Sequence, residues 1–338
     1  MEKSIPSFEN SALLDRVQAR WNNLTKPPGS LGQLELLGAR YALIRGEEMP
    51  RLASKAMYIF CGDHGITAEG ISAFPSEITR HMVSNFLRGG AAINVLCRHY
   101  GIDTTIIDCG VNGDCAPGVV DCRIGRGTAN FARGPAMTRA QAERAIENGV
   151  RMGRECAGRY DIAGVGEMGI GNTTAASALM CAFCGVKPAE AVGRGTGLDD
   201  EGVARKARVI EAALALHAPK PDDPLGVLAA LGGFEIATMA GFLLGAAASR
   251  LPVVVDGFIA CSAALAAAAI DPAVKGALFF AHCSAEAAHR ALLDYLSVRP
   301  MLDLEMRLGE GSAAAIGINL LECAIKLYRE MATFQDLG

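Results

Sequence analysis

The chain has 338 residues, 51% of them hydrophobic and 20% charged, which excludes a disordered protein and allows a sizeable core. With 32 Lys and Arg against 36 Asp and Glu the net charge is −4, so there is no basic footprint for nucleic acid or an anionic membrane surface. Eleven cysteines, an odd number, and no apolar leader at the start predict reduced thiols in a cytoplasmic protein, not a disulfide framework.

Residues 1–45 are helical in pattern, and Ser30-Leu-Gly-Gln33 reads as a capping box opening a helix towards Arg45. Short apolar runs ending in Gly or Asp follow at Ala56–Cys61, Thr104–Asp108, Asp161–Val165, Val253–Asp256 and Ala277–Ala281. They are too continuous for strands with one wet face and suit buried parallel strands. Between them, Thr138-Arg-Ala-Gln141 is a capping box for a helix towards Cys156, and Asp199 opens a helix whose Val203, Ala207, Ile210 and Leu214 share a face. Cys181 and Cys184 have CxxC spacing inside an apolar run and read as two small core residues one turn apart. The six histidines show no metal-ligand spacing, so no metal site is expected. Two alanine-rich stretches are interrupted by Glu235, Arg250, Pro252, Asp256 and Asp271, and their charge-free runs fall short of the roughly 18 residues a membrane span needs. Residues 301–338 again look helical. The alternation predicts an α/β domain over residues 46–300 with a parallel sheet, beside a small helical subdomain built from residues 1–45 plus 301–338.

Ligands of open parallel sheets bind beyond the carboxyl ends of the strands, so the loops after the apolar runs carry the chemistry. Gly164, Gly166 and Gly169 spell GxGxxG, but Glu190, at the distance of a ribose-binding acid, closes no convincing strand. A more general reading is a phosphate near Asn172, Thr173 and Thr174 at a helix N-terminus; a tight turn with a capping Asn or Thr is the alternative. Gly193-Arg-Gly-Thr-Gly197 could donate amides to the same anion. Asp199, Asp200 and Glu201 are explained by the helix dipole without a metal. Lys206 is either a snorkelling surface lysine or a phosphate contact. Glu310, between Gly309 and Gly311 before an apolar segment, has the setting of a poorly solvated general base, and equally of a helix-N-terminal acid.

Several of these segments also carry a family resemblance. Leu24-Thr-Lys-Pro-Pro-Gly-Ser-Leu-Gly32, Gly62-Asp-His-Gly65 with Pro75-Ser-Glu-Ile-Thr79, Asn85–Asn94, Gly127-Thr-Ala-Asn-Phe131, Gly166–Thr174, Gly193–Gly197 and Arg307-Leu-Gly-Glu-Gly311 occur in order along nearly the whole chain. Together they resemble the nicotinate-nucleotide–dimethylbenzimidazole phosphoribosyltransferase family. The resemblance implies a doubly wound, mostly parallel, Rossmann-like sheet with a small helical subdomain. It also implies transfer of 5-phosphoribosyl from nicotinate mononucleotide to 5,6-dimethylbenzimidazole, giving α-ribazole 5′-phosphate and nicotinate in cobalamin lower-ligand activation. Inversion at the anomeric carbon, no cofactor, and a homodimer with sites near the subunit interface are implied as well.

By motif position the resemblance makes Glu310 the general base. It places phosphate binding at Gly169, Asn172, Thr173, Gly195, Thr196, Lys206 and Ser284, and sets Glu167 near the ribose or the departing base. Ser72, His81 and Leu308 would contact the benzimidazole. The sequence departs from many members at His81, where Gln is usual, and the acceptor, a benzimidazole, a purine or a phenol, stays open there.

Overall fold

The computed structural model describes residues 4–195, 197–286 and 288–337. Helices α1 (Ser11–Asn23) and α2 (Gln33–Arg45) lead into β1 (Lys55–Gly62), then α3 (Glu77–Arg88), α4 (Ala92–Tyr100), β2 (Asp103–Gly110) and the short β3 (Val120–Asp121). Next come α5 (Arg139–Ala157), β4 (Ile162–Met168), α6 (Asn172–Cys184), α7 (Pro188–Ala191), α8 (Asp200–His217), α9 (Pro224–Leu231) and α10 (Phe234–Ala248). The chain finishes with β5 (Val253–Val255), α11 (Phe258–Ile270), β6 (Leu278–Phe280), α12 (His289–Leu296) and α13 (Ser312–Glu330).

The strands form one sheet in the order β3-β2-β1-β4-β5-β6, with every neighbouring pair parallel. All eight residues of β1 are buried, as are all but the last of β4, because helices cover both faces. The order reverses between β1 and β4, as it does in a doubly wound sheet. The five apolar runs of the sequence are five of these strands; β3, two residues long, carries no readable pattern.

The alanine-rich α10 is buried along almost its whole length and lies so close on α5 that a Cβ at Gly149 would sit 2.0 Å from the Thr238 carbonyl oxygen. Its apolar character therefore serves the protein interior, and no helix among the described residues is long and apolar enough to cross a membrane. The Thr138 box forms as expected: the Gln141 amide donates to Thr138 Oγ1 at 3.2 Å, and the Thr138 amide to Gln141 Oε1 at 2.9 Å. Asp199 caps α8 by accepting from the Gly202 amide at 2.8 Å.

Two local expectations fail, and a third is incomplete. Ser30 does not cap α2; the chain turns at Gly32 (φ +55°), and Glu35 instead reaches back to accept from the Leu31 amide at 3.0 Å. The expected stripe of α8 does pack on the core, with Ile210 buried and Val203, Ala207 and Leu214 half-buried, but the helix is turned slightly further in, so that Gly202, Lys206 and Ala213 are buried too. Residues 301–310 are not helical. They run extended beside the segment after β6, with the Leu302 amide donating to the Ala281 carbonyl oxygen at 2.9 Å and the Ala285 amide to that of Met306 at 3.1 Å. Helix α13 then divides its contacts. Its first half joins the main core, while Tyr328 near its end packs with Leu13, Val17, Trp21, Leu24 and Ala42 in a separate cluster.

Candidate active site

A cavity of about 270 Å³ opens at the carboxyl ends of β4, β5 and β6, next to the strand reversal. Its wall comes from Glu167 and Met168, the turn 169–173, Gly195, the first residues of α11, the segment after β6 (His282, Ser284, Glu286) and the stretch Arg307–Glu310. It adjoins a larger, outer cavity of about 710 Å³ that includes Gly193, Arg194 and Gly197 and shares Glu286 and Arg307 with it.

The extended segment after residue 301 delivers Glu310 to this cavity. Gly309, Glu310 and Gly311 are all left-handed (φ +83°, +64° and +90°). For a residue with a side chain that conformation costs about 1–2 kcal/mol. The loop is held in it from two sides. Asp256, just past β5, accepts from the Gly311 amide at 3.1 Å and the Ala314 amide at 2.9 Å, doing the capping work for α13 that Gly311 has no side chain to do. Gly166 lets the loop lie on β4, since a Cβ there would come within 2.5 Å of the Glu310 carbonyl carbon and oxygen.

The result is a buried carboxyl group, 6% exposed, whose Oε2 has no hydrogen-bond partner among the described residues. Burial and then the charge of Asp256 push the Glu310 pKa up to about 7, against the pull of the Ile93 amide. Glu167 stands beside it. Burial drives its pKa up to about 8; the hydrogen bond from Asn172 Nδ2 opposes this, and Asp256, Glu235 and Glu310 add to it. Near neutral pH, then, Glu167 is mostly a protonated hydrogen-bond donor, whereas Glu310 is divided between acid and carboxylate.

Positive charge enters beside Thr173. Lys206 is 1% exposed, and its Nζ donates to Thr173 Oγ1 at 2.7 Å. Burial lowers its pKa to about 8, so it remains mostly cationic at neutral pH. It is no snorkelling surface residue. Gly195 (φ +49°) packs over the same pair; a Cβ there would be 3.0 Å from Thr173 Oγ1 and 3.4 Å from Lys206 Nζ. A cation, a hydroxyl, a glycine turn and the N-terminus of α6 thus converge at Thr173, groups of the kind that favour an anion.

The GxGxxG spacing has a packing explanation. Gly164 makes room for Met57, Gly166 for the Glu310 backbone, and a Cβ at Gly169 would lie 2.3 Å from the Gly62 carbonyl oxygen. Beneath that last turn His64 Nε2 and Glu235 Oε1 lie 2.5 Å apart with both side chains fully buried.

Of the residues singled out in the sequence, Glu167, Gly169, Asn172, Thr173, Gly195, Ser284, Leu308 and Glu310 line the cavity, and Lys206 lies directly behind Thr173. Asn172 Nδ2 gives one of its two hydrogens to Glu167, and the Thr174 side chain is buried and does not line the cavity. Ser72 and the exposed His81 do not line it. Helix α3 is nonetheless tied to the wall, because the Ile170 amide donates to Thr79 Oγ1 at 3.0 Å. Thr196 lies outside the described residues. The sequence reading put Asp256 and His282 in the loops after strands but gave neither a role: Asp256 holds the Glu310 loop, and His282 is a buried wall residue whose Nδ1 has no partner among the described residues. Their signal was position alone, since each lies within two residues of the end of a short buried strand.

A phosphoribosyltransferase family model, DBI_PRT, matches residues 7–338. The nicotinate-nucleotide–dimethylbenzimidazole phosphoribosyltransferase of Geobacter sulfurreducens is 50% identical over 333 residues, covering 97% of this chain and 94% of its own. The protein of that name from Roseiflexus sp. is 50% identical over 325 residues, covering 95% and 92%. Among solved structures, CobT from Thermus thermophilus superposes with a TM-score of 0.92 at 42% identity, over 97% of this chain and 98% of that one. A fold and a sequence that agree over nearly the full length place the chain in the DBI_PRT phosphoribosyltransferase family.

Proposed function

We propose that the cavity transfers the 5-phosphoribosyl group of nicotinate mononucleotide to 5,6-dimethylbenzimidazole, with inversion at the anomeric carbon. Glu310 carries this reading: a buried carboxyl group with an unpartnered oxygen, ionising near neutral pH at the cavity wall. One ring nitrogen of the benzimidazole attacks C1 of the ribose while the other passes its proton to Glu310 Oε2. The bond from C1 to the pyridinium nitrogen breaks, and nicotinate leaves with that electron pair, so its nitrogen needs no proton. Positive charge that develops on the ribose is stabilised by Glu310 in its ionised form. Lys206, Thr173, Gly169, Gly195 and Ser284 hold the phosphate and so fix the direction of attack. Protonated Glu167 donates a hydrogen bond to the ribose or the departing base. Leu308, 56% exposed at the cavity mouth, offers the acceptor ring an apolar wall.

Ser72 and His81 complete the base site from the segment that also exposes Phe74 and Leu87, apolar surface that a second copy of the chain would cover in a homodimer. Eleven unpaired cysteines suit a cytoplasmic enzyme. Mixing the protein with nicotinate mononucleotide and dimethylbenzimidazole should release nicotinate and α-ribazole 5′-phosphate in equal amounts, read by chromatography and product mass. Release of nicotinate at the same rate without the acceptor would sink the reading.

A further inference from the structure

Behind the phosphate end of the cavity, His289 opens α12 and is fully buried (0% exposed). Its Nδ1 accepts a hydrogen bond from the Ser284 amide at 2.8 Å. A backbone amide can only donate, so Nδ1 bears no proton and the neutral ring carries its hydrogen on Nε2. Nε2 lies 3.1 Å from Cys261 Sγ, on the first turn of α11, and donates to it. The pairing is the reverse of an activated cysteine. Burial, with His282 and Arg290 adding, lowers the His289 pKa to about 3, and burial holds the Cys261 thiol well above its ordinary value. A neutral imidazole therefore bridges α11 to the segment after β6.

We infer that His289 is a positioning residue for the phosphate end of the site: by engaging the Ser284 amide, it leaves the Ser284 hydroxyl, and not the amide, to meet the phosphate. This rests on reading the cavity as a phosphoribosyl site. Ser284 Oγ already accepts from the Glu286 amide at 3.3 Å, which leaves its hydroxyl hydrogen for an acceptor in the cavity. The His289 ring also stands edge-on to two other wall residues, His282 (centroids 6.0 Å apart) and Phe258 (6.1 Å). Losing the Nδ1 acceptor would orphan a buried amide and free the segment to turn.

Nitrogen-15 NMR of the unmodified protein tests the bond directly. One histidine should hold an unprotonated Nδ1 and a protonated Nε2 without titrating between about pH 5 and 8; a proton on its Nδ1 overturns the inference. In variants, H289N keeps an acceptor near the place of Nδ1, and H289L keeps volume without one. H289L should raise KM for nicotinate mononucleotide on the order of tenfold, with kcat and KM for the base within about threefold, and H289N should restore most of the loss. Equal losses in the two variants, or equal effects on both substrates, overturn the positioning role. Ser284→Ala separates this inference from the reading beneath it. A nucleotide KM raised in S284A but unmoved in H289L overturns the inference alone, and one unmoved in both also overturns the phosphate reading of this wall.

Discussion

Two buried glutamates show what distinguishes a residue that holds the fold from one that reacts. Glu35 on α2 and Glu310 before α13 are 9% and 6% exposed. Glu35 accepts from Lys26 Nζ at 2.7 Å and from the Leu31 amide at 3.0 Å. Burial pushes its carboxyl pKa up, but Lys26 and the backbone amides more than reverse the push and hold it below the ordinary value. Glu310 is given Asp256, another acid, as its charged neighbour, and one of its oxygens is left unbonded. Burial alone thus says nothing about role. A carboxylate matched to a cation is fixed in its ionised form, whereas one left among acids is poised to take up a proton.

The largest expected effect tests the reacting side. Glu310→Gln keeps the shape but cannot accept a proton, so kcat should fall about 10²–10⁴-fold while the melting temperature holds or rises. A kcat within threefold of the parent would erase the contrast. Glu35→Gln should do the opposite. It strands Lys26 as a buried charge, and breaking such a pair costs about 3 kcal/mol, taken at the low end because the pair borders solvent. Denaturant unfolding should show that loss with kcat near the parent value. A large fall in kcat, after correction for the folded fraction, would make Glu35 part of the site.

This contrast was only half legible in the sequence. Buried parallel strands read as continuous apolar runs, so the sheet and the loops at its carboxyl ends could be found, and Glu310 stood out between two glycines. The misses have tertiary causes. Asp256 matters because it accepts amides at residues 311 and 314, more than fifty positions away. Residues 301–310 are extended because they pair beside the segment after β6, a partner their own pattern does not announce. Lys206 fell at the edge of the expected stripe, and a modest rotation of α8 put it inside. The glycine fingerprint suggested a ligand, while those glycines admit Met57, the Glu310 backbone and the Gly62 carbonyl. In each case the sequence offered the residue and withheld what it faces.

The smallest effect sharpens the comparison through pH. Glu167 has its pKa raised from the ordinary 4.5 to about 8 by burial, reinforced by its acidic neighbours. Between those values the folded protein holds a proton that the unfolded chain has released. Glu167 therefore makes stability fall as pH rises across that window and contributes no further change above it. Glutamine never ionises and can still accept from Asn172. Glu167→Gln should match the parent near pH 5 and pull ahead by on the order of 2 kcal/mol near pH 8.5, a few degrees in melting temperature. Glu35→Gln should show the reverse trend: its lowered pKa contributes stability present above the unfolded value and lost as pH falls through the folded one, so its deficit should shrink in acid. Melting curves for both variants from pH 3 to 9 would read the two slopes side by side. If they share a sign, the division between paired and poised carboxylates does not hold in this protein.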